Sequence, residues 1–492
     1  MTVMKKPVLS RRDFLRLSGA FTASLAVNGC SARSLFVAKN IHRPNILFIF
    51  ADDQTYEAIH ALGSGVQTPN LDRLAKRGVT FTHCYNQGAW SGAICVASRT
   101  MLNTGRFLWN AEALNKTLDG QRDAGRFWSQ YIKQAGYDTY FSGKWHVSTD
   151  VNKLFDVVKD VRPGMAKDVP TGYDRPYEGK PDPWKPWDKS LGGYWQGGKH
   201  WSEALADDGV EFIEQAADRK NPFFMYLAFN APHDPRQSPK EYVDKYPLDK
   251  IEVPANFLPE YPFKDSIGCS EKLRDERLAP FPRTEYAVKV HRQEYYALIT
   301  HMDAQIGRML DAIESAGLDK TTYIFFTADN GLALGHHGLF GKQSMYEHSM
   351  RVPLIATGPG IGRGKIESPV YLQDIMPTSL ELAGIKKPDY VQFESLLPVM
   401  RGQADSSYDA IYGAYLDLQR MAVCDGYKII LYPAIKKVLL YNLRQDPDEM
   451  TDLAGRPRYR KVEKKLFGKL LKLQKDTGDK LDIRSVYPEL AD

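Results

Sequence analysis

The chain has 492 residues, of which 43% are hydrophobic, 25% charged and 12% aromatic. This length exceeds the roughly 250–300 residues at which a single hydrophobic core stops growing, so two domains are expected. The formal charge of +5 comes mostly from residues 1–29, which hold five of the 65 basic and one of the 60 acidic residues. Because the rest of the chain is nearly neutral, the sequence predicts no nucleic-acid partner.

The N-terminus has the features of an export signal. The pair Arg11-Arg12 lies before the apolar run 17–27, which is too short to span a bilayer. We therefore predict a twin-arginine signal peptide at residues 1–29, with the twin-arginine translocase as a partner. A protein exported by this route folds, and receives any cofactor or modification, before it crosses the membrane.

The end of the signal resembles a bacterial lipobox. Residues 25–30 read Leu-Ala-Val-Asn-Gly-Cys, which makes Cys30 the candidate lipidated residue. Cleavage near Ala32 with an incidental cysteine is the alternative. With lipidation, residues 30–43 form a tether, the protein lies in the periplasm or at the cell surface, and its lipid anchor is its only membrane contact.

The other four cysteines do not form a recognisable framework. Cys84, Cys95, Cys269 and Cys424 are widely spaced and include no C-x-x-C pair. This spacing argues against a zinc site or a disulfide scaffold. Because an exported protein can form disulfides, pairing of two of these cysteines, such as Cys84 with another, stays an open alternative.

From residue 44 onward, apolar runs alternate with helical patterns. Runs at 45–50, 221–229 and 322–327 are apolar on both faces, which predicts central strands of a mostly parallel sheet. A long helix is predicted over 294–316. After about residue 396, short strand patterns separated by turns predict a small antiparallel sheet, followed by a helix near 462–473.

Charged and reactive residues follow the predicted strands. They are Asp52 and Asp53, Lys144 and His146, His233, and Asp329 with Asn330. Because ligand sites in α/β sheets lie at the carboxyl ends of strands, these residues are expected to meet in one cleft. Adjacent carboxylates such as Asp52-Asp53 are costly without a cation, which suggests a hard metal with oxygen ligands. On this pair alone, an ordinary acidic turn after the strand is an equal alternative.

Cys95 and Arg99 are spaced by one helical turn. A helix that begins near Cys95 places both side chains on one face, close to the N-terminus where negative charge is stabilised. An isolated C-x-x-x-R is more often a buried cysteine and a surface arginine. The charged strand ends described above favour a functional pair here.

The segment 151–205 is irregular and rich in aromatic residues: Trp184, Trp187, Tyr194, Trp195 and Trp201. A long loop of this kind is usually functional. Two interpretations remain open, since the aromatic rings can stack on sugar rings or pack the loop against itself. The first interpretation favours a carbohydrate as the ligand.

The residues around Cys95 carry a family resemblance. Cys95-Val96-Ala97-Ser98-Arg99 with Thr104-Gly105 resembles the sulfatase signature C-x-[PA]-S-R followed by T-G, with Ala97 in place of the commoner proline. Further matches in the family's order lie at 52–53, 143–146, 231–233, 329–331, 338–342 and 440–454. His336-His337 is a doublet where the family usually has one histidine, and we match His337.

The resemblance implies an alkaline phosphatase-like α/β fold, with a catalytic domain at 44–395 and a C-terminal α+β subdomain at 396–492. It implies a sulfuric ester hydrolase in which a maturation enzyme converts Cys95 to formylglycine, the nucleophile in its hydrated form. The implied ligands of one Ca²⁺ are Asp52, Asp53, formylglycine 95, Asp329 and Asn330, a set rich in the oxygen donors that calcium prefers.

The resemblance also implies roles for the basic residues. Arg99 orients and stabilises the nucleophile, and Lys144 and Lys342 bind sulfate oxygens. His233 protonates the leaving alcohol, and His146 assists breakdown of the sulfated intermediate.

Together with this resemblance, the predicted export, the lipid anchor and the aromatic-rich insertion favour a sulfated polysaccharide or its oligosaccharides as the substrate over a small aryl sulfate. Two other functions stay open at this point. A phosphodiester or phosphonate hydrolase uses the same apparatus, because phosphate and sulfate are similar in size and geometry. A non-catalytic lipoprotein that binds glycans through the 151–205 aromatics is the second alternative.

Overall fold

The computed structural model describes residues 43–167 and 169–491. The predicted signal peptide 1–29, the candidate lipidation site Cys30 and residues 30–42 of the predicted tether lie outside these residues. None of the helices in the described ranges combines the length and apolar composition that crossing a membrane requires.

Within the described ranges the strands are β1 Asn45–Ala51, β2 Val79–Tyr85, β3 Gly88–Ala89, β4 Asp138–Lys144, β5 Val157–Arg162, β6 Phe223–Ala228, β7 Thr322–Ala328, β8 Arg351–Thr357, β9 Gly364–Ile366, β10 Val370–Tyr371, β11 Ile411–Tyr415, β12 Gln419–Cys424, β13 Tyr427–Tyr432 and β14 Lys437–Asn442.

The α-helices of the same ranges are α1 Pro69–Arg77, α2 Ile94–Thr104, α3 Leu108–Leu114, α4 Leu118–Asp123, α5 Trp128–Gln134, α6 Trp201–Ala217, α7 Lys240–Val243, α8 Glu285–Ser315, α9 Glu347–Met350, α10 Ile375–Leu382, α11 Leu397–Met400, α12 Arg460–Thr477, α13 Ile483–Val486 and α14 Pro488–Ala491.

The larger sheet is mostly parallel and has the order β10-β2-β8-β7-β1-β6-β4-β5, with β9 also paired to β2. Its centre is the parallel set β7-β1-β6-β4-β5, and β8 runs antiparallel to both of its neighbours. Every residue of β6 and β7 is buried. The prediction of a central, mostly parallel sheet is therefore confirmed.

The central strands are held by apolar and aromatic packing. The rings of Phe48 and Tyr226 meet edge to face with centroids 4.9 Å apart, and Trp128 of α5 packs on Phe48 at 5.1 Å. Each such buried aromatic side chain contributes about 1.5–3 kcal/mol by removal of apolar surface from water. This packing gives the strand ends a rigid platform.

The smaller sheet has the order β14-β13-β12-β11-β3, with antiparallel pairing among β11 to β14 as predicted. Its edge strand β3 comes from the N-terminal half and pairs in parallel with β11. Gly88 is needed there, because a Cβ on it would lie 1.9 Å from the carbonyl oxygen of Ala414 and its φ is +88°. Residues 396–492 thus do not build this sheet alone, and the boundary at 395/396 stays a prediction.

The long helix α8 begins nine residues before the predicted start at Glu294. The hydroxyl of Thr284 accepts a hydrogen bond from the backbone N–H of Ala287 and caps the helix. The apolar face then starts at Ala287 and Val288, both fully buried. In the part of the chain that the structure covers, all four cysteines are free, so Cys84 forms no disulfide with Cys95, Cys269 or Cys424.

Candidate active site

The strand ends meet as the sequence predicts. Strands β7, β1, β6 and β4 are neighbours in the large sheet, and Asp329, Asp52 and His233 follow the first three. Lys144 is the last residue of β4, and His146 follows two residues later. Since the four strands are parallel, these side chains lie at one edge of the sheet.

Cys95 lies in the first turn of α2, which points its N-terminus into this cluster. Its Sγ lies 3.3 Å from Nδ1 of His146. The helix ends at Gly105, whose φ is +69° and where a Cβ would lie 2.9 Å from Sδ of Met376. The Thr104-Gly105 part of the signature therefore serves to stop the helix against α10.

Arg99, one turn after Cys95, is completely buried among the strand ends. Its Nε donates to Oδ2 of Asp329 at 2.9 Å and its Nη1 donates to the carbonyl oxygen of Lys144 at 2.7 Å. Its guanidinium also packs on the ring of Phe50, 4.6 Å from the centroid. Burial by itself would lower the pKa of Arg99, but Asp329 and Asp52 outweigh it and hold the pKa above its usual value.

Two lysines pair with the two adjacent aspartates. Nζ of Lys144 forms an ion pair with Oδ2 of Asp52. Nζ of Lys342, from the loop after β7, lies 2.6 and 2.8 Å from the carboxylate oxygens of Asp53. Burial would lower the pKa of Lys342, but the carboxylate of Asp53 reverses this and raises it well above its ordinary value, so the side chain is a cation.

Asp53 has an unusual backbone that is held by its neighbours. Its φ is +65°, a left-handed conformation that costs about 1–3 kcal/mol for a residue other than glycine. The backbone N–H of Asp53 donates to Oδ1 of Asp329 at 3.1 Å, and the hydroxyl of Tyr295 donates to its carbonyl oxygen at 2.6 Å. Asn330 donates from Nδ2 to Oδ1 of Asp53 at 2.7 Å. These bonds fix the direction of the carboxylate.

The carboxylates fit a metal ion. One ligand atom each from Asp52, Cys95 and Asp329 lies within 4.8 Å of the others. Oδ1 of Asp52 and Oδ1 of Asn330 are buried oxygens without a hydrogen-bond partner, which is costly unless a cation contacts them. An oxygen-rich donor set of this kind suits a hard divalent cation.

His233 faces the same cleft from the loop after β6. Its Nδ1 donates to the carbonyl oxygen of Asp234 at 2.7 Å and lies 3.1 Å from Oδ1 of that residue. Its Nε2 therefore faces the cluster, 3.6 Å from Oδ2 of Asp53. Burial lowers the pKa of His233 to about 4, although Asp234 and Asp53 raise it. Burial also lowers the pKa of His146 to about 3, with Lys144 and Arg99 adding to the effect.

These side chains surround a cavity of about 390 Å³. Cys95, His146, His233 and Lys342 line it, and the sequence predicts all four in one site. Other lining residues carry no motif that predicts them, among them Met165, Lys167, Arg274, Asp275 and Gln343. Arg274 lies in a segment, 250–290, that has no regular pattern in the sequence. Asp234 also escaped notice, although it follows His233 directly.

Arg274 lies beside His233 in the wall of the cleft. Its Nε donates to Oδ1 of Asp275 at 3.0 Å, and its Nη2 lies 3.4 Å from Nε2 of His233. Its side chain is 38% exposed, so part of the guanidinium faces solvent. His337, the histidine matched to the family, lies elsewhere: it stacks on Tyr346 with centroids 3.9 Å apart and contacts Asn256.

The interpretation of the 151–205 aromatics as an exposed sugar platform is wrong. Trp184, Tyr194, Trp195 and Trp201 are at most 7% exposed, and Trp187 is half-buried. Tyr194 donates to the carbonyl oxygens of Asn230 and His233, and Trp195 donates to that of Pro186. These rings pack the insertion and support the loop that carries His233, because burying them stabilises a long segment without regular structure.

Comparison with known families gives two matches. The profile of the sulfatase family matches residues 44–385. A second profile, described as the C-terminal part of N-sulphoglucosamine sulphohydrolase, matches residues 335–476. The two overlap across the segment that carries Lys342.

Curated relatives cover nearly all of this chain. A sulfatase of Formosa agariphila is 30% identical over 460 residues, which is 87% of this chain and 86% of the relative. An N-acetylglucosamine-6-O-sulfatase of Bacteroides thetaiotaomicron is 26% identical over 514 aligned positions, with 89% and 87% coverage. An ulvan-active sulfatase, also of Formosa agariphila, is 26% identical over 90% of this chain and 84% of its own.

Solved structures share the fold. BT4656, solved with its substrate D-glucosamine-2-N,6-O-disulfate, aligns with a TM-score of 0.69 and 24% identity, over 89% of this chain and 98% of its own. The phosphonate monoester hydrolase of Agrobacterium radiobacter also aligns at 0.69, with 22% identity over 88% and 96%. The expected alkaline phosphatase-like architecture is confirmed, and the profile match over most of the chain decides the family. The chain belongs to the sulfatase family, the sulfuric ester hydrolases.

Proposed function

We propose that this enzyme removes sulfate from a sulfated carbohydrate, with formylglycine at position 95 and one Ca²⁺. The observation that carries the proposal is the juxtaposition of Cys95 with buried carboxylates on one side and Lys144, Lys342 and His233 on the other. A sulfate ester needs cations around its oxygens and a proton donor for the departing alcohol, and both are present here.

The encoded thiol is a poor nucleophile in this position. Burial raises the pKa of the Cys95 thiol above its usual value, although Lys144 and Lys342 lower it, so the thiol is protonated near neutral pH. This supports Cys95 as a precursor that a separate formylglycine-generating enzyme oxidises. The hydrated aldehyde supplies a hydroxyl nucleophile, and its second hydroxyl allows the sulfate to be expelled afterwards.

Ca²⁺ would be held by Asp52, Asp53, residue 95, Asp329 and Asn330, and would stabilise negative charge next to the nucleophile. The unpartnered oxygens of Asp52 and Asn330 support this assignment. Burial and Asp329 raise the pKa of Asp52 well above its ordinary value. Ionised Asp52 is therefore costly in the protein alone, and a divalent cation offsets that cost.

The lysine, arginine and histidine side chains of the site have separate roles in the proposed reaction. Lys144 and Lys342 approach the cluster from β4 and from the loop after β7, and they bind sulfate oxygens. Arg99 orients residue 95 from one turn away. Nδ1 of His146 faces the atom at position 95 and accepts its proton when the intermediate breaks down. Nε2 of His233 faces the cleft and would transfer a proton to the alcohol once the imidazole is protonated, a form that the negative charge of a bound sulfate ester favours.

The relatives support a sugar as the substrate. Their printed names include an N-acetylglucosamine-6-O-sulfatase and an ulvan-active sulfatase. The cavity of about 390 Å³ above Cys95 has the volume of a small-molecule site. Its mouth carries Arg274 and Lys167, which provide hydrogen-bond donors for hydroxyl or anionic substituents of the sugar.

Export completes the proposal. The segment 1–29 would direct the folded protein through the twin-arginine translocase, and lipidation of Cys30 would anchor it in the periplasm or at the cell surface. Only the sequence supports this part. Palmitate labelling of the full chain, with Cys30→Ala as the control, tests the anchor, and a label retained by the variant would refute lipidation at this residue.

The activity is tested in two steps. Peptide mass spectrometry of the Cys95 fragment should show the conversion of thiol to aldehyde. Turnover is then measured with N-acetylglucosamine 6-sulfate, heparin, ulvan and carrageenan fragments, and a phosphodiester. Wild type should release sulfate from a sugar, and Cys95→Ala should not. A higher kcat/KM for the phosphodiester would instead establish the related phosphodiesterase activity.

A further inference from the structure

A second cavity, of about 730 Å³, lies between α3, the turn that joins β11 to β12, and the end of α12. Trp90 and Trp109 line it, and both are half-buried. We call it the tryptophan cavity. Neither tryptophan belongs to the 151–205 insertion, and none of the catalytic residues proposed above lines this cavity.

The floor of the tryptophan cavity is rigid. Arg420 donates from Nε and Nη2 to the two carboxylate oxygens of Asp479, at 2.7 and 2.9 Å. Cζ of Arg420 lies 4.9 Å from the ring centroid of Trp109. Nε1 of Trp109 donates to the hydroxyl of Tyr412 at 2.8 Å. A tryptophan that is anchored by its N–H presents its ring in one orientation, which is how a protein prepares a stacking surface.

The charges of the tryptophan cavity exclude a second sulfate site. Arg420 and Asp479 neutralise each other. The exposed rim carries the acidic residues Glu112 and Asp417 and the basic residue Lys480. Without an excess of positive charge the cavity does not attract an anion. Its aromatic walls and hydrogen-bonding rim match an uncharged sugar ring, which has an apolar face and polar edges.

The tryptophan cavity and the catalytic cavity share one stretch of backbone. Trp90 lines the first, while Gly92 and Ala93 line the second. Three consecutive Cα–Cα steps separate Trp90 from Ala93, which is at most about 11 Å. The backbone N–H of Leu416 donates to the carbonyl oxygen of Ala89 at 2.9 Å, so the β11–β12 turn is fixed beside Trp90.

We propose that the tryptophan cavity binds an uncharged pyranose ring of the same glycan whose sulfate ester occupies the catalytic cavity. This rests on the proposed function, since a sulfated oligosaccharide must span the two cavities. Binding at both places on one chain makes the second contact intramolecular, which increases affinity for an oligosaccharide but not for a monosaccharide. The enzyme would then act on sulfated oligosaccharides in preference to single sugars.

The kinetic test compares one sulfated tetrasaccharide with the corresponding sulfated monosaccharide. Trp109→Ala should raise the KM for the tetrasaccharide about tenfold, the loss of one aromatic contact, and leave its kcat unchanged. Trp109→Phe, which keeps a ring, should recover most of the affinity, and Trp187→Ala is the matched half-buried control outside both cavities. An unchanged KM in Trp109→Ala, with its thermal unfolding midpoint intact, would refute the site.

A binding test separates this proposal from the proposed function. Cys95→Ala protein is titrated calorimetrically with desulfated tetrasaccharides derived from heparin, chondroitin and carrageenan. Binding that weakens about tenfold when Trp109→Ala is added supports the tryptophan cavity, even if no sulfated sugar is turned over. Absence of binding to all three probes, or equal binding by both variants, would overturn it.

Discussion

Two buried arginines, in the catalytic cluster and under the tryptophan cavity, show how the same side chain serves different ends. Arg99 and Arg420 are each at most 1% exposed, and each packs against an aromatic ring and pairs with an aspartate. Every guanidinium nitrogen of Arg420 donates a hydrogen bond. Nε and Nη2 donate to the carboxylate of Asp479, and Nη1 donates to the carbonyl oxygens of Leu416 and Gln419.

Arg99 is not saturated in this way. Its Nη2 has no hydrogen-bond partner and lies 3.9 Å from Oδ1 of Asp52, an oxygen that is itself unpartnered. An unused buried donor is costly, about 1–3 kcal/mol. The fold therefore satisfies a structural arginine completely, whereas the site retains an unused donor that can bind a ligand.

Replacement of Arg420 should have the largest effect on stability. Arg420→Met leaves Asp479 buried without its cation, so the free energy of unfolding should fall by about 3–5 kcal/mol. Urea denaturation measures this. Arg458→Met, at an exposed arginine of the segment 396–492, is the control and should unfold like wild type. If Arg420→Met were as stable as wild type, the structural role assigned to Arg420 would be refuted.

Replacement of Arg99 should instead affect catalysis. A lysine at position 99 keeps the charge, but its single ammonium group cannot replace all three guanidinium nitrogens. It cannot contact Asp329 and the carbonyl oxygen of Lys144 and also supply the donor that Nη2 of Arg99 provides. Arg99→Lys should lower kcat about 10²–10³-fold, or about 2.7–4 kcal/mol of transition-state stabilisation. Stopped assays of sulfate release measure this, and circular dichroism checks the fold. Activity within a factor of two of wild type would contradict the assigned role.

Calcium should stabilise the catalytic cluster specifically. At a Ca²⁺ concentration 100 times its Kd, the free energy of unfolding should rise by about 2.7 kcal/mol over the EGTA-treated protein. Differential scanning calorimetry measures the shift. Asp52→Asn should abolish it, because that variant loses a charged ligand, while Arg420→Met should retain it. A shift that survives in Asp52→Asn would place the ion elsewhere.

The buried insertion aromatics should give the smallest effect. Trp184 is 3% exposed and its Nε1 has no hydrogen-bond partner, so Trp184→Phe removes ring area without breaking a bond. We expect a loss of less than about 1.5 kcal/mol in stability. Binding of desulfated tetrasaccharides should not change. Weaker glycan binding by this variant would show that the 151–205 insertion contributes to glycan binding in addition to the tryptophan cavity.

The sequence predicted that the charged side chains after the central strands lie at one edge of the sheet, and the structure places them there. Parallel strands leave few places for a carboxylate such as Asp329 or a lysine such as Lys144 except the common carboxyl edge. The motif around Cys95 then assigned the chemistry by family resemblance. The helix start at Glu285 was missed by nine residues, because polar residues in its first turns masked the apolar face.

The aromatic residues show the limit of sequence analysis. Composition located a tryptophan-rich insertion but carried no information about its burial, and four of the five predicted platform residues lie inside the protein. Trp90 and Trp109 drew no attention, since each stands singly beside an ordinary strand or helix. The pairing of β3 with β11 brings the β11–β12 turn beside Trp90 and so completes the cavity, and it joins residues more than 300 positions apart.

The family, the mostly parallel sheet and the residues at one edge of that sheet can be predicted from the chain alone, because strand periodicity and local motifs are short-range properties. Which charges are satisfied and which aromatic rings are buried can be known only from the folded protein, because both depend on long-range contacts. The motif around Cys95 marks Arg99 in the sequence, whereas nothing marks Arg420. Only their surroundings show that every guanidinium nitrogen of Arg420 donates a hydrogen bond within the protein, while Nη2 of Arg99 has no partner.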